Sequence, residues 1–177
     1  KSIYAAGVAC QDLTAGRVKQ LVITRSATST SRGIGFMPGT SDEKCTHWYV
    51  SMLGYLKEYL GSGVFDTHMR RGNIILAPME TMMGRSFNDS FIIVEEAQLM
   101  TMAELLTITT RIGSRSRMTL NGDYRQNTKN PDFKTYVNAL ERNEVEQVSV
   151  VRMTEDDILR SALVRDLTLV YNKENLW

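Results

Sequence analysis

Short continuous apolar runs alternate along the chain with stretches in which apolar residues recur every three or four positions. Each run is brief, rich in branched side chains and bounded by charged or turn residues, which is typical of buried strands. The pattern predicts five strands, at residues 21–24, 74–77, 91–94, 118–120 and 148–151. Because residues 91–94 are apolar at every position, we expect a strand that is covered on both faces, as in a parallel sheet.

Between these runs, helical spacing predicts five helices, at residues 3–13, 43–60, 101–111, 133–141 and 155–171. Thr154 is the expected N-cap of the last helix, with Asp156 and Asp157 in its first turn. Residues 26–40 are rich in Ser, Thr and Gly, which predicts a long loop. Strands that alternate with helices indicate an α/β fold with a parallel sheet and helices on both faces. No repeat or linker interrupts the pattern, so we expect residues 1–177 to form a single domain.

Composition narrows the classes of function that remain. The 177 residues are 42% hydrophobic and 23% charged, which excludes disorder, collagen and coiled coil for the chain as a whole. Lys and Arg number 21 against 20 Asp and Glu, so any binding to nucleic acid must use a local patch. No apolar run has the roughly 18 residues of a membrane span, and we expect no membrane partner. Two cysteines, Cys10 and Cys45, suggest reduced thiols in a cytoplasmic protein.

Acidic side chains follow the third predicted strand directly, at Glu95 and Glu96. In parallel sheets, ligands bind at the carboxyl ends of the strands. Four apolar residues followed by two acids is the pattern of the magnesium-binding strand of P-loop nucleotidases, where the second acid can polarise the attacking water. Behind the fourth strand, Gln126 is placed to sense the γ-phosphate of a nucleotide. The alternatives are a solvated acidic pair and an ordinary Gly-Asp turn.

The phosphate-binding loop of such proteins requires G-x-x-x-x-G-K-[ST] at a strand-to-helix turn, and this string does not occur in the chain. The chain does open with Lys1 and Ser2, followed at once by an apolar helix. These are the residues with which the motif ends. We therefore expect a strand and the glycine-rich half of the loop to lie upstream of Lys1.

Three segments together resemble the PhoH family of P-loop ATPases. Residues 33–39, followed by Glu43 and Lys44, are similar to its L-G-F-L-P-G…E-K loop. Residues 83–98 are similar to its M-R-G-R-T-F-N-D-A-F-I-I-L-D-E-A-Q signature. Residues 110–126 resemble T-R-I-G…S-K-M…G-D-P-x-Q. The resemblance spans nearly the whole chain and implies a RecA-like P-loop NTPase fold, a three-layer sandwich with a mainly parallel central sheet.

The resemblance also implies roles for individual residues, with ATP and Mg²⁺ as ligands. Lys1 would contact the phosphates, Ser2 and Glu95 would hold Mg²⁺, Glu96 would activate water and Gln126 would sense the γ-phosphate. Three arginines would stabilise transition-state charge, also across the subunit boundary of a homo-oligomer. They are Arg85, Arg111 and Arg160.

The family's link to RNA metabolism and helicase-like activity makes RNA an expected partner. Two basic clusters offer local support, although an ordinary solvated surface is the favoured explanation of them. They are Arg111, Arg115, Arg117 and Arg125, and His68, Arg70 and Arg71. Glu95 stands where the family has Asp, which leaves open a nucleotide-binding switch with little hydrolysis. A metal-dependent ribonuclease that uses the acidic pair is a further alternative.

Overall fold

A computed structural model describes residues 1–26, 41–126, 130–154, 157 and 161–174, without the side chains of residues 41–48. Its strands are β1 (Gln20–Arg25), β2 (Ile74–Leu76), β3 (Ser90–Glu95) and β4 (Arg117–Leu120). Its helices are α1 (Ser2–Thr14), α2 (Ser41–Leu60), α3 (Ser62–Arg70), α4 (Met79–Met82), α5 (Met102–Thr109), α6 (Asp132–Arg142) and α7 (Ala162–Lys173). Short 3-10 turns at Ala97–Leu99 and Tyr124–Gln126 follow β3 and β4.

The four strands form one parallel sheet in the order β2-β1-β3-β4. In its register, Arg25 lies opposite Glu95 and Val94 lies opposite Leu120. The carboxyl ends of the three neighbouring strands β1, β3 and β4 are therefore level, at the edge where an α/β sheet holds its ligands.

Helices cover both faces of the sheet. One hydrophobic cluster joins α1, α2 and α3 to one face, through buried residues such as Ala6, Leu56 and Ile93. The second joins the other face to α4, α5 and α6, through Ile92, Leu105 and Phe133. Because β3 sends alternate side chains into the two clusters, it is apolar throughout, as the sequence predicts. The result is the RecA-like three-layer α/β sandwich that the resemblance implied.

Two predicted elements are wrong. Residues 148–151 form no strand, and Val151 is 80% exposed. A branched apolar run becomes a strand only where a neighbouring strand and a packing surface are present. The last helix begins at Ala162 after Ser161, whose extended backbone (φ −57°, ψ 154°) excludes a helix running from 155 to 171. Two short helices, α3 and α4, were not predicted.

The amino-terminal edge of the sheet is held by ion pairs. The buried Asp12 carboxylate accepts from Arg17 at 2.6 Å and from Arg117 at 3.0 Å. Asp89 pairs with Arg115 at 2.5 Å and with Lys19 at 3.2 Å. The hydrogen bond from Arg115, together with Lys19, lowers the pKa of Asp89 from 3.8 to about 2. Each carboxylate thus joins two cations that come from different parts of the chain.

Cys10 is a free, buried thiol on α1, in agreement with the predicted reduced state, and burial raises its pKa to about 11. The side chain of Cys45 lies outside the described residues. None of the helices in the described part of the chain has the length and apolar character that a membrane crossing requires.

Candidate functional site

The first residues of α1 meet the carboxyl ends of β3 and β4. Ser2 Oγ donates a 2.6 Å hydrogen bond to Glu95 Oε2, across 93 positions of sequence. Asn121 Nδ2 donates to the other carboxylate oxygen, Oε1, also at 2.6 Å. Glu95 therefore spans from the amino-terminal end of α1 to the residue that follows β4, which brings together two of the predicted metal-binding residues.

Glu96 has a left-handed backbone conformation (φ 54°, ψ 41°), which is uncommon for a residue with a side chain and costs roughly 1–2 kcal/mol. The conformation ends β3 abruptly and starts the 3-10 turn that follows. The half-buried Glu96 carboxylate accepts a 2.6 Å hydrogen bond from Gln98 Nε2. Strain at such a position is common at functional sites, where surrounding contacts hold it.

Lys1 and Asp123 form an ion pair of 3.3 Å at the same edge. Burial alone would raise the pKa of the Asp123 carboxyl, but the Arg125 backbone N–H and the positive charges of Lys1 and Arg125 outweigh it and lower the pKa. Asp123 is therefore an anion that holds the Lys1 ammonium beside Ser2. The sequence singled out the Gly-Asp turn but not this pairing.

Gln126 ends the 3-10 turn after β4, and its exposed side chain reaches into the site. Its Oε1 lies 3.3 Å from Gln98 Nε2. Gly122, at the base of the turn, lies against the Phe133 ring of α6, so the turn is packed directly on the core. The structure thus places Gln126 beside the partner of Glu96.

Two of the three predicted arginines, Arg85 and Arg111, lie elsewhere. Arg85 stacks over the Phe87 ring at 5.1 Å, and the Phe87 N–H donates to the Arg111 carbonyl. Phe87 precedes β3 and Ile112 pairs with it, which places both arginines toward the amino-terminal edge of the sheet. Arg111 also donates to Thr107 and Thr110 within its own segment. This edge is opposite the one that carries Glu95 and Glu96, so the structure does not bring Arg85 or Arg111 to the acidic pair. Arg160 lies outside the described residues.

The basic residues proposed for RNA are also at the amino-terminal edge, except Arg125. Arg115 and Arg117 are paired with Asp89 and Asp12, while 70% and 60% of their side-chain surfaces remain exposed. Arg125 lies beside the site, where it donates to Asn172 of α7. Residues 33–39 and Lys44, which carry part of the family resemblance, lie outside the described residues or have no described side chain.

The oxygen atoms at the site are of the kind that bind magnesium. Mg²⁺ prefers oxygen ligands and retains several waters, and the Ser2 hydroxyl and the Glu95 carboxylate offer oxygens 2.6 Å apart. Within the described ranges, no three His, Cys, Asp or Glu side chains lie close enough to hold a metal ion by themselves. Waters and nucleotide phosphates would have to complete the shell, as they usually do for Mg²⁺.

Asn121 and Gln98 are the site residues that sequence reasoning missed. A signal for Asn121 was present, because it directly follows β4, which the order of elements places near β3. Gln98 ends the segment 83–98 that resembles the family signature, but the sequence assigned it no role, since an amide beside two acids is also an ordinary loop residue. Its burial, with 3% of its surface exposed, emerges only from the fold.

Comparisons with known proteins give one consistent result. A family model described as PhoH-like protein matches residues 1–172. The chain is 29% identical over 177 residues to a PhoH-like protein of Bacillus subtilis, covering 99% of this chain and 56% of that protein. It is 31% identical to a PhoH-like protein of Synechocystis, covering 98% and 53%, and 30% identical to Protein PhoH of Escherichia coli, covering 97% and 50%. The chain spans about half the length of the curated relatives it matches.

Proposed function

The chain belongs to the PhoH family, and we propose on that premise that it is the nucleotide-hydrolysing part of a Mg-ATP-dependent ATPase. The observation that carries the proposal is the hydrogen bond between Ser2 and Glu95. It joins Ser2, which we propose to be the last residue of a phosphate-loop motif, to the acidic strand β3. In P-loop nucleotidases these two elements hold the magnesium ion.

Lys1 and Ser2 are the binding part of the proposed site. The Lys1 ammonium, held at 3.3 Å by Asp123, is available to exchange this partner for the negatively charged phosphates. Ser2 starts a helix of 13 residues, whose amino-terminal N–H groups and dipole favour anions. Bound Mg²⁺ would supply charge neutralisation of the phosphate oxygens, with Ser2 and Glu95 as its protein ligands or water-bridged partners.

Glu96 is the proposed water-activating residue. Its carboxylate accepts the proton of the attacking water while a bond forms between the water oxygen and the γ-phosphorus. The bond from that phosphorus to the bridging oxygen breaks, and ADP leaves with the electron pair. Gln126, at the end of the 3-10 turn after β4, would donate to a γ-phosphate oxygen or to the water. Catalysis of this type is mostly positioning and electrostatic stabilisation.

The two acids should fail differently when substituted in the full-length protein. Glu96→Gln keeps size and hydrogen bonding but removes the base, so turnover should fall roughly 10²–10⁴-fold while Mg-ATP still binds. Glu95→Ala should weaken Mg-ATP binding as well as turnover. Glu95→Asp, which restores the family residue, should keep or raise activity. Phosphate release and nucleotide titration measure the two effects. Parent-level hydrolysis by Glu96→Gln would contradict the assignment.

RNA is proposed as the partner to which hydrolysis is coupled. The support is the exposed basic edge of the sheet and the family's general link to RNA metabolism. A nucleotide-binding switch with little hydrolysis predicts the opposite outcome in a turnover assay, namely tight Mg-ATP binding with no phosphate release. The direct comparison is phosphate release by full-length protein with and without single-stranded RNA.

A further inference from the structure

The buried carboxamide of Gln98 contacts both Glu96 and Gln126, the residues to which the proposed reaction assigns roles at the γ-phosphate. Gln98 lies in the 3-10 turn after β3, and only 3% of its surface is exposed. Its Nε2 group donates to Glu96 Oε2 at 2.6 Å and lies 3.3 Å from Gln126 Oε1. Its Oε1 accepts from the Asp123 N–H at 3.0 Å. One side chain thus contacts the end of β3 and both ends of the turn after β4.

These contacts fix which way the carboxamide points. The Asp123 N–H can only donate, so the oxygen of Gln98 must face it. The NH₂ group then faces the two acceptors, Glu96 and Gln126. A flipped amide would set its oxygen against the Glu96 carboxylate and its NH₂ against the N–H of Asp123. Because a buried polar atom without a partner costs roughly 1–3 kcal/mol, one orientation dominates.

We propose that Gln98 is a positioning residue, which sets the direction of the Glu96 carboxylate and couples it to Gln126 and the β4 turn. This inference rests on the proposed ATP hydrolysis. Glu96 has a left-handed backbone at the end of β3, and the hydrogen bond from Gln98 Nε2 holds its carboxylate in one direction. A shift of Gln126 toward a phosphate would release one acceptor of the Gln98 NH₂ group. The contact with Glu96 would then change in step with occupancy of the site.

The first test replaces Gln98 by Met, which keeps length and approximate volume but removes all three hydrogen bonds. Misplacing a catalytic group by about 1 Å can cost 10²-fold, so we expect kcat to fall roughly 10- to 100-fold. The Kd for a non-hydrolysable Mg-ATP analogue should change less than about threefold, because Gln98 contacts neither Lys1 nor Ser2 in the hydrogen bonds described. Gln20→Met is the matched control. Gln20 donates to Ser90 at 2.8 Å at the opposite edge, and its loss should leave kcat unchanged.

The second test asks whether Gln98 acts through Glu96. Residues that work as a unit give non-additive losses. In a Glu96→Gln background, Gln98→Met should therefore lower the residual turnover less than about twofold. A purely structural role predicts the same fold-loss in both backgrounds.

A third variant keeps the carboxamide but withdraws it from its partners. Gln98→Asn is one methylene shorter, so its NH₂ group no longer reaches Glu96 from the same backbone position. We expect kcat to fall as in Gln98→Met, while the Kd for the Mg-ATP analogue stays within about threefold of wild type. This variant also serves if Gln98→Met does not fold, as judged by thermal melting.

The outcomes separate the two proposals. Wild-type protein without ATP turnover overturns both. Turnover that falls with Glu96→Gln but not with Gln98→Met overturns the positioning role alone, as does parent-level kcat for Gln98→Asn. A loss confined to kcat, absent in the Glu96→Gln background and absent in Gln20→Met, supports it.

Discussion

At the scale of single residues, position 122 requires glycine because the neighbouring Phe133 ring leaves no room for a side chain, and not because the backbone has a positive φ. A Cβ at this position would lie 2.7 Å from Cδ1 of the Phe133 ring and closer still to Cε1. Phe133 is itself buried, so the ring has little room to withdraw. The turn that carries Asp123 and Gln126 can therefore approach the core only with glycine at its base.

The steric argument predicts opposite effects for two glycines. Gly122→Ala should lower the free energy of unfolding by roughly 1–3 kcal/mol, the usual cost of overpacking. Gly54 is a solvent-exposed residue in the middle of α2, and a Cβ added there would have no atom within 4 Å. Gly54→Ala should therefore raise the free energy of unfolding by up to about 1 kcal/mol. Urea denaturation of the two variants measures both changes. A neutral Gly122→Ala would mean that Phe133 moves aside freely.

Individual site residues were predictable to different degrees. Glu95, Glu96 and Gln126 follow strands, and strand ends can be recognised from apolar runs alone. Asn121 and Gln98 act through hydrogen bonds whose partners depend on strand register and on a left-handed backbone at Glu96. Neither property is visible in a pattern of polar and apolar letters.

At the scale of elements, four strands were predicted because each contains a short, largely apolar run; β1 and β3 are mostly buried, whereas β2 and β4 at the sides of the sheet are mostly half-buried or exposed. Residues 148–151 are also largely apolar, yet only Val150 is half-buried and the segment forms no strand. Strand propensity indicates which residues fit a sheet, but a strand forms only where a neighbouring strand supplies hydrogen bonds and packing. Helix α3 was missed because its buried apolar residue is Phe65 alone, which gives no repeating stripe.

Asp89 lies just before β3 and pairs with Lys19, just before β1, and with Arg115, just before β4. Because it links the amino-terminal ends of three strands, we expect the stability of the fold to depend on its charge and so on pH. Since the pKa of Asp89 falls from 3.8 to about 2 on folding, its charged form stabilises the fold fully above pH 4. That contribution is lost as the pH falls through about 2. The difference in melting temperature between wild type and Asp89→Asn should therefore be largest above pH 4 and shrink toward pH 2.

Asn is the matched replacement because it tolerates the positive φ of 49° at this position. Asp66→Asn, at an exposed position of α3, is the control and should show no such trend. If the melting-temperature difference between wild type and Asp89→Asn were constant from pH 7 to pH 2, protonation of Asp89 would not contribute to the loss of stability in acid.

At the scale of the whole molecule, the basic edge and the proposed nucleotide site lie at opposite ends of the strands. If RNA phosphates contact the basic edge, Arg115→Ala with Arg117→Ala should weaken RNA binding in the full-length protein. The slope of the logarithm of the RNA-binding constant against the logarithm of the salt concentration should become shallower by about one for each lost phosphate contact. Arg142→Ala, an exposed arginine of α6, is the control, and melting curves at the same salt check folding. Unchanged affinity and slope would leave these arginines as partners of Asp89 and Asp12 only.

The ion pairs of Asp12 and Asp89 have a consequence for how such a chain can change over generations. They lie at the end of the sheet opposite Glu95 and Glu96, separated by the length of β3, roughly 20 Å for six residues. Mutations among the paired cations would change the stability of the folded chain about one strand length away from the proposed reaction site. We therefore expect selection for heat tolerance and selection for the proposed turnover to act on largely separate sets of positions, so that a lineage can adjust one trait while the other is held constant.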